Sequence, residues 1–150
     1  MHTFGLPSLL LVLLLIGCTE SEDPPDRQVI STDAAPEALG PYSQAIQVGN
    51  TIYCSGQIGI DPTTDSLVAG GVEAETRQAL ENLRSVLESA GFSLEDVVRT
   101  QVFLADLDDY AAMNEVYSTY FDAASPARAA VQAAGIPAGA RVEITVTARK

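Results

Sequence analysis

The chain has 150 residues and carries 20 acidic against 8 basic residues, a formal net charge of −12 at neutral pH. A nucleic-acid-binding protein needs a basic surface to neutralise phosphates, so this charge argues against nucleic acid as a partner. Because the single histidine is His2, near the N-terminus, Cys–His and Ser–His–Asp catalysis are excluded and a zinc site built from Cys and His clusters is not expected.

The first 17 residues have the features of an export signal. Residues 9–16 read LLLVLLLI, a run too short for a permanent bilayer span but typical of a signal-peptide core. Residues 15–18 read LIGC, which resembles the lipobox of bacterial lipoproteins. We therefore expect residues 1–17 to be a lipoprotein-type signal peptide that is removed, and Cys18 to become the lipidated first residue. The leader has no Lys or Arg before its apolar run, and an uncleaved hydrophobic anchor is the alternative.

The segment after this cysteine is acidic and contains Pro24-Pro25. Residues 18–29 offer little apolar surface to bury, so we expect a disordered acidic tether, followed by one domain over residues 30–150. With the leader, this predicts an exported protein that is lipid-anchored at Cys18 to a bacterial membrane and faces the periplasm. Cys54 then has no disulfide partner, and its apolar surroundings, TIYCSG, predict a buried and unreactive thiol.

The domain begins with a predicted β-hairpin. Residues 44–56 read QAIQVGNTIYCSG, in which two strand-forming runs flank Gly49-Asn50, a signal for a tight turn. The period of two places Ile52 and Cys54 on the same face. Residues 61–65, DPTTD, have the composition of a turn.

Two helices and a strand follow in the prediction. Apolar residues recur at helical spacing over residues 72–90 and again over residues 106–121. Between them, residues 97–104 read VVRTQVFL and alternate as a strand does. The alternation places four side chains on one face: Val98, Thr100, Val102 and Leu104.

The last two predicted strands cover residues 127–134 and 141–149. In the second, one face carries Val142, Ile144, Val146 and Ala148. The element order β-β-β-α-β-α-β-β predicts a single-domain α+β fold with a mixed sheet. Two helices cover only one face of such a sheet, and the other face, half polar and half apolar, is typical of an oligomer interface.

Two single charges interrupt the apolar C-terminal segment. Arg128 lies among alanines, and Glu143 lies between Val142 and Ile144. A buried charge is costly unless it is paired. One hypothesis is a structural salt bridge between Arg128 and Glu143 across neighbouring strands. The other is that both charges serve a ligand.

Several motifs, in the right order, carry a family resemblance. They are GPYSQA (40–45), CSGQIG (54–59), NLRSVLESAGFSLEDVVRTQVFLADLDDY (82–110), MNEVY (113–117) and PARAAVQAAGIPAGARVEI (126–144). Together they resemble the Rid family, also called the YjgF family, and the resemblance spans nearly the whole of residues 30–150.

This resemblance implies a chorismate-mutase-like fold, a homotrimer with a cleft at each subunit interface, and a reaction without cofactor or metal. RidA-like members hydrolyse reactive 2-imino and enamine acids, such as 2-aminoacrylate and 2-iminopropanoate, to 2-keto acids and ammonia. The expected function is therefore that of a 2-iminobutanoate/2-iminopropanoate deaminase-like hydrolase. Its partners would be a small 2-imino or 2-keto acid and further copies of the chain.

By the same resemblance, Arg128 and Glu143 are the catalytic pair. A guanidinium offers a planar pair of donors that fits a carboxylate, so Arg128 would bind and orient the substrate. Glu143 would accept a proton from the attacking water, or hold that water and protonate the leaving nitrogen. The residues expected to line the same cleft are Tyr42, Ser55, Gly56, Asn114, Arg128 and Ala130.

One position departs from the family pattern, because many active relatives carry Cys where this chain has Ala130. A main-chain contact there would tolerate the change, whereas an essential thiol would not. The alternatives to a deaminase are a non-catalytic trimer that binds a small carboxylate, and a chaperone-like or ribonuclease activity. The net charge argues against RNA, and a pure carboxylate binder gains nothing from the acid Glu143.

Overall fold

A computed structural model describes residue 1 and residues 26–121 and 125–150. The expected lipidation site, Cys18, lies outside the described residues, as do the expected signal peptide apart from Met1 and most of the expected tether. Within the described ranges, no helix combines the length and the hydropathy that crossing a bilayer requires.

The described elements alternate between strands and helices. They are, in chain order, β1 (Arg27–Ile30), β2 (Ala45–Val48), β3 (Thr51–Ile58), β4 (Ile60–Asp61), β5 (Ser66–Leu67), α1 (Gly71–Ser89), β6 (Val97–Leu104), α2 (Tyr110–Ser118), β7 (Ala127–Gln132) and β8 (Val142–Arg149). Short 3-10 turns precede β6, α2 and β8 at Leu94–Asp96, Leu107–Asp109 and Pro137–Gly139.

Six of these strands form one mixed sheet in the order β1-β2-β3-β8-β6-β7. Only β6 and β7 run parallel, and the other neighbours are antiparallel. This confirms the predicted α+β fold with two helices on a mixed sheet. The prediction has three strands before the first helix, whereas the described part of the chain has five. Among these, β4 and β5 are two-residue strands at the two ends of the expected DPTTD turn, and they pair only with each other.

The boundary expected between tether and domain is wrong. Arg27 pairs with Val48 and Ile30 pairs with Ala45, so residues 27–29 form part of the edge strand β1. The short run RQVI has weak strand character in isolation, and its backbone hydrogen bonds to β2 determine its conformation. The part of the domain in contact with the sheet therefore begins at Arg27.

The core lies between the sheet and the two helices. On β8 the alternate residues Val142, Ile144, Val146 and Ala148 are buried, as predicted, and they face the apolar side of α1. Cys54 is also buried, and desolvation raises the pKa of its thiol to about 12, which agrees with an unreactive thiol.

The first two residues of β6 do not follow the alternation predicted for this strand. Val97 is buried and Val98 is exposed, because the pairing with β8 shifts by one residue between Val97 and Arg99. Such a bulge places the side chains that precede it on the opposite face of the sheet from the one predicted. From Thr100 onward the predicted face is the buried one.

The second helix is shorter than its apolar pattern predicted. The Asp106 carboxylate accepts the Asp108 N–H at 2.9 Å, and the chain enters through the 3-10 turn Leu107–Asp109 before α2 begins. The helix ends at Ser118, where the Thr119 N–H and hydroxyl both return to the Val116 carbonyl. The last strands are likewise 127–132 and 142–149 rather than 127–134 and 141–149.

Candidate functional site

Arg128 lies on β7, the strand at one edge of the sheet. It stands opposite Thr100 of β6, whose buried side chain faces the helices, so Arg128 projects to the helix side of the sheet. Its guanidinium carbon lies 4.5 Å from the centre of the Tyr117 ring and 5.8 Å from that of Tyr110. These distances are those of cation–π contacts, which hold the charge in place without neutralising it.

The α2 helix supplies the groups that surround this guanidinium. Tyr110, Asn114 and Tyr117 follow at spacings of four and three residues, so they share one helix face. The Arg128 Nη2 atom donates to the Tyr110 hydroxyl at 3.3 Å, and the Tyr117 hydroxyl shares a 2.9 Å hydrogen bond with Thr100. An open pocket beside them is lined by Asn114, Tyr117, Ser118, Phe121, Ser125, Pro126 and Arg128.

We refer to Tyr110, Asn114, Tyr117, Arg128 and Ala130 as the Arg128 group. Ala130 belongs to it because it lies two residues beyond Arg128 on the same face of β7 and packs against the core. In the described ranges no carboxylate lies within ion-pair distance of Arg128. The guanidinium is therefore available to an anionic ligand.

Glu143 lies on β8, opposite Ile58 of β3 and Phe103 of β6. Its neighbours Val142 and Ile144 face the helices, so Glu143 projects from the other side of the sheet. The β3 pairing with β8 is irregular between Cys54 and Gln57, which places Gly56 within reach of the carboxylate. A Cβ atom added at Gly56 would lie 1.8 Å from Glu143 Oε1, so the absence of a side chain there makes room for the acid.

The environment of Glu143 changes its acidity. The side chain is half-buried, and desolvation raises the pKa of its carboxyl above the ordinary value of 4.5. Burial has this effect because it disfavours the charged form. A carboxyl with a raised pKa is a better proton acceptor and is closer to the range in which an acid can return the proton.

Tyr42 and Ser55 lie on the same side of the molecule as Gly56. The Ser55 hydroxyl donates to the Ser43 carbonyl at 2.7 Å, and the Ser55 N–H donates to the Gln44 carbonyl, which ties the 40–44 loop to β3. The Tyr42 hydroxyl accepts the Leu39 N–H at 3.0 Å, and Tyr42 and Gly56 line one small cavity. We refer to Tyr42, Ser55, Gly56 and Glu143 as the Glu143 group.

The structure does not bring the two groups together within one chain. They lie on opposite faces of the sheet, and β6 separates β7 from β8. Arg128 is level with Thr100 and Glu143 with Phe103, which places their backbones about 14 Å apart at ordinary sheet dimensions. The hypothesis of a salt bridge across neighbouring strands is therefore wrong for the single chain, because the strands are not neighbours.

The sequence prediction did not include Tyr110 or Tyr117 among the site residues. Tyr117 is buried, and its ring also supports Arg128. The signal available in the sequence was the spacing of Tyr110, Asn114 and Tyr117. It places two tyrosines on the same helix face as Asn114, which the family resemblance had already assigned to the site. No group of three or more potential metal-binding side chains is found among residues 26–121 and 125–150.

Comparison with known families gives a match over residues 32–150 to the family described as Endoribonuclease L-PSP. The chain belongs to this family, which is also known as the Rid or YjgF family. The mouse 2-iminobutanoate/2-iminopropanoate deaminase is 55% identical over 122 residues, covering 81% of this chain and 90% of that protein. The human protein of the same name is 52% identical, covering 81% and 89%.

Solved structures agree with this family assignment. A protein described as a putative endoribonuclease from Thermotoga maritima is 49% identical, with a TM-score of 0.80 over 82% of this chain and 97% of that one. RidA from an Antarctic Psychrobacter bacterium is also 49% identical, with a TM-score of 0.79 over 82% and 99%. Escherichia coli TdcF, solved with bound serine, is 38% identical, with a TM-score of 0.79 over 82% and 98%.

Proposed function

We propose that this protein is a hydrolase that deaminates small 2-imino and enamine acids, such as 2-iminopropanoate, to 2-keto acids and ammonia. The observation that carries the proposal is the Arg128 guanidinium, held against two tyrosine rings beside an open pocket and available to an anion. Relatives that are 52–55% identical bear the name 2-iminobutanoate/2-iminopropanoate deaminase, which supports the same substrate class.

Arg128 would receive the substrate carboxylate. Two guanidinium N–H groups can bond the two carboxylate oxygens, which fixes the plane of the adjacent C=N group. The aromatic rings of Tyr110 and Tyr117 restrict the guanidinium, so less freedom is lost when the substrate binds. Asn114, on the same helix face, offers a further polar group at the edge of this pocket.

Glu143 would act on the water. As the water oxygen bonds to the imine carbon and the C=N electron pair moves to the nitrogen, Glu143 takes a proton from the water and passes it to the nitrogen, which gives an aminoalcohol. Glu143 then passes the hydroxyl proton of the aminoalcohol to the nitrogen as the C–N bond breaks and the C=O bond forms. Water thus supplies the carbonyl oxygen of the 2-keto acid, and the nitrogen leaves as ammonia. The raised pKa of Glu143 suits a group that must both take and give this proton.

The two groups have to come from different copies of the chain, because one chain holds them on opposite faces of its sheet. We propose a homotrimer in which the Arg128 group of one copy faces the Glu143 group of the next. The sheet face that the helices leave uncovered carries the exposed apolar side chains Tyr53 and Val131, which supports its burial between copies. Each trimer would then contain three equivalent sites.

The family description names an endoribonuclease, but RNA binding gains little support from this chain. Its 20 acidic and 8 basic residues give it a charge of −12, which repels the phosphate backbone. A carboxylate-binding trimer without turnover is the remaining competitor. It differs from the deaminase in one respect, since it has no use for an acid such as Glu143.

The decisive experiment generates 2-iminopropanoate from alanine with an amino-acid oxidase and traps it with semicarbazide. An active deaminase competes with the trap, so it lowers the rate of semicarbazone formation. We expect suppression by the parent protein and loss of suppression by Arg128→Ala. Arg77→Ala, which removes an exposed arginine from α1, is the matched control and should behave like the parent. A folded trimeric parent that never suppresses trapping would leave the carboxylate-binding module as the better description.

We also propose that the protein is exported and anchored by a lipid on Cys18, as its lipobox-like leader predicts. Expression in a bacterial host with radiolabelled palmitate tests this directly. The label should appear in the parent protein and be absent from Cys18→Ser. An unlabelled parent would exclude the lipid anchor without affecting the proposed reaction.

A further inference from the structure

The oxygen of Tyr110 accepts a hydrogen bond from the neighbouring arginine. Arg128 Nη2 donates to it at 3.3 Å. The side-chain amide of Asn114 lowers the pKa of the phenol by hydrogen bonding, and the charge of Arg128 lowers it further. Both interactions favour the anionic form of the oxygen, as N–H donors do.

These contacts determine what the hydroxyl can offer to a ligand. A phenol oxygen has acceptor capacity and a single O–H donor. Because a guanidinium can only donate, Arg128 occupies the oxygen as an acceptor and the O–H itself is left to donate elsewhere. Tyr110 is 41% exposed, so a ligand can approach it from outside the chain.

The other two tyrosines in or next to α2 lack this arrangement. The Tyr117 hydroxyl is engaged with Thr100 in the core, and the Tyr120 hydroxyl donates to Glu81 of α1 at 2.7 Å. Both hydroxyls are therefore committed to partners within the chain. Tyr110 differs from them because Arg128, its hydrogen-bond partner, can only donate and leaves the phenol proton free.

We propose that Tyr110 is a substrate-binding residue whose O–H donates to the carboxylate held by Arg128. This rests on the proposed function and adds a third donor to that site. An O–H donor forms a strong hydrogen bond with a carboxylate, which is charged and has only acceptor oxygens. Its hydrogen bond to a ligand that lacks the carboxylate charge is weaker. The site would therefore select 2-imino and 2-keto acids over the corresponding amides.

The test is equilibrium binding of 2-oxobutanoate, a 2-keto acid, to the parent protein and to Tyr110→Phe by calorimetry. The substitution keeps the ring against Arg128 and removes only the hydroxyl. We expect binding to weaken about tenfold or more, the usual effect of losing a hydrogen bond to a charged group. Tyr120→Phe, which loses a hydrogen-bonded hydroxyl away from the Arg128 group, is the matched control and should bind like the parent. The preference for 2-oxobutanoate over 2-oxobutanamide should shrink in Tyr110→Phe alone.

A double-mutant cycle separates direct donation from an effect through the arginine. In the Arg128→Lys background, with ligand titrated to the millimolar range by NMR, Tyr110→Phe should still weaken binding. A loss seen only when Arg128 is present would overturn direct donation, because Tyr110 would then merely hold the guanidinium. Unchanged affinity in Tyr110→Phe, or a parent that does not bind 2-oxobutanoate, would also overturn it.

The kinetic constants KM and kcat of Tyr110→Phe test the same assignment independently. A donor that binds the carboxylate equally in the ground state and the transition state changes KM and leaves kcat in place. We expect this split for Tyr110→Phe, and a fall in kcat at unchanged KM would contradict it. The trapping assay decides whether the parent has deaminase activity. The binding data decide whether Tyr110 donates to the carboxylate. Failure of the proposed function is therefore distinguishable from failure of this assignment.

Discussion

The contact between Gly56 and Glu143 allows a substitution that should remove activity while leaving the fold intact. In Gly56→Ala the new Cβ would lie 1.8 Å from Glu143 Oε1, 2.7 Å from Cδ and 2.9 Å from Cγ. Real Cβ contacts are essentially never shorter than 3.0 Å, so the carboxylate must move by more than 1 Å. Misplacement of a catalytic group by about 1 Å can cost about 100-fold in rate, and we expect a loss of that order.

Stability should change little in this variant. The backbone of Gly56 does not occupy the left-handed region, so alanine fits it without strain, and the atoms in the way belong to the end of a flexible side chain. Replacing glycine at a compatible position stabilises by about 0.4–1 kcal/mol through the unfolded state, which offsets part of the cost of moving Glu143. The free energy of unfolding should therefore stay within about 1 kcal/mol of the parent value.

The assay combines semicarbazide trapping with thermal or denaturant unfolding of the same samples. Gly135→Ala is the matched control, since a Cβ there meets no atom within 4 Å, and it should retain both activity and stability. In a Glu143→Gln background, Gly56→Ala should have little further effect, because both changes act on one group. Full activity of Gly56→Ala would refute the reasoning, since it would show that the carboxylate is not required over Gly56.

Three further predictions concern other parts of the molecule. Arg128→Lys should raise KM about tenfold or more, because lysine cannot form the paired contacts, and an unchanged KM in the trapping assay would exclude carboxylate binding by Arg128. Glu143→Gln should abolish turnover yet be at least as stable as the parent at neutral pH, measured by urea unfolding. Asn82→Ala should destabilise by about 2–3 kcal/mol, since the buried Asn82 amide donates to the Ile58 and Ile60 carbonyls at 3.2 and 2.8 Å.

The difference in stability between Glu143→Gln and the parent should depend on pH, because the pKa of Glu143 is raised. Above 4.5 and below the raised value, the native carboxyl binds more protons than the unfolded one. The parent therefore loses stability as the pH rises through this window, and the uncharged glutamine does not. The stability advantage of Glu143→Gln should grow with pH across the window and be absent below it. An advantage that grows as the pH falls would contradict this assignment.

The predictions for Arg128→Lys and Asn82→Ala each have a matched control. For Arg128→Lys, Arg77→Lys is the equivalent change on an exposed helix face and should leave KM unaltered. For Asn82→Ala, the control is Gln47→Ala, which removes an amide whose exposed hydrogen bond goes to the nearby Gly49 carbonyl, and it should cost less than about 1 kcal/mol. Equal losses in the two amide variants would mean that the Asn82 contacts add nothing beyond an ordinary surface bond.

Much of the fold was predictable because it depends on local patterns. The turn at Gly49-Asn50 and the alternation of β8 are properties of short stretches, and the structure has both. The sequence also marked Arg128 and Glu143 as solitary charges in apolar surroundings. Local patterns of this kind act through backbone preferences and side-chain burial, which are the same in any fold that buries the same face.

Only the tertiary structure decided how these pieces are arranged. The placement of β6 between β7 and β8, the irregular pairing at Gly56 and the shift at Val98 all depend on hydrogen bonds between strands distant in sequence. A shift of one residue reverses a side chain to the other face, and no local pattern fixes it. The sequence by itself therefore marked Arg128 and Glu143, the two residues proposed to carry the chemistry. The tertiary structure decided that Arg128 and Glu143 point away from each other, because strand order and register are set by long-range pairing.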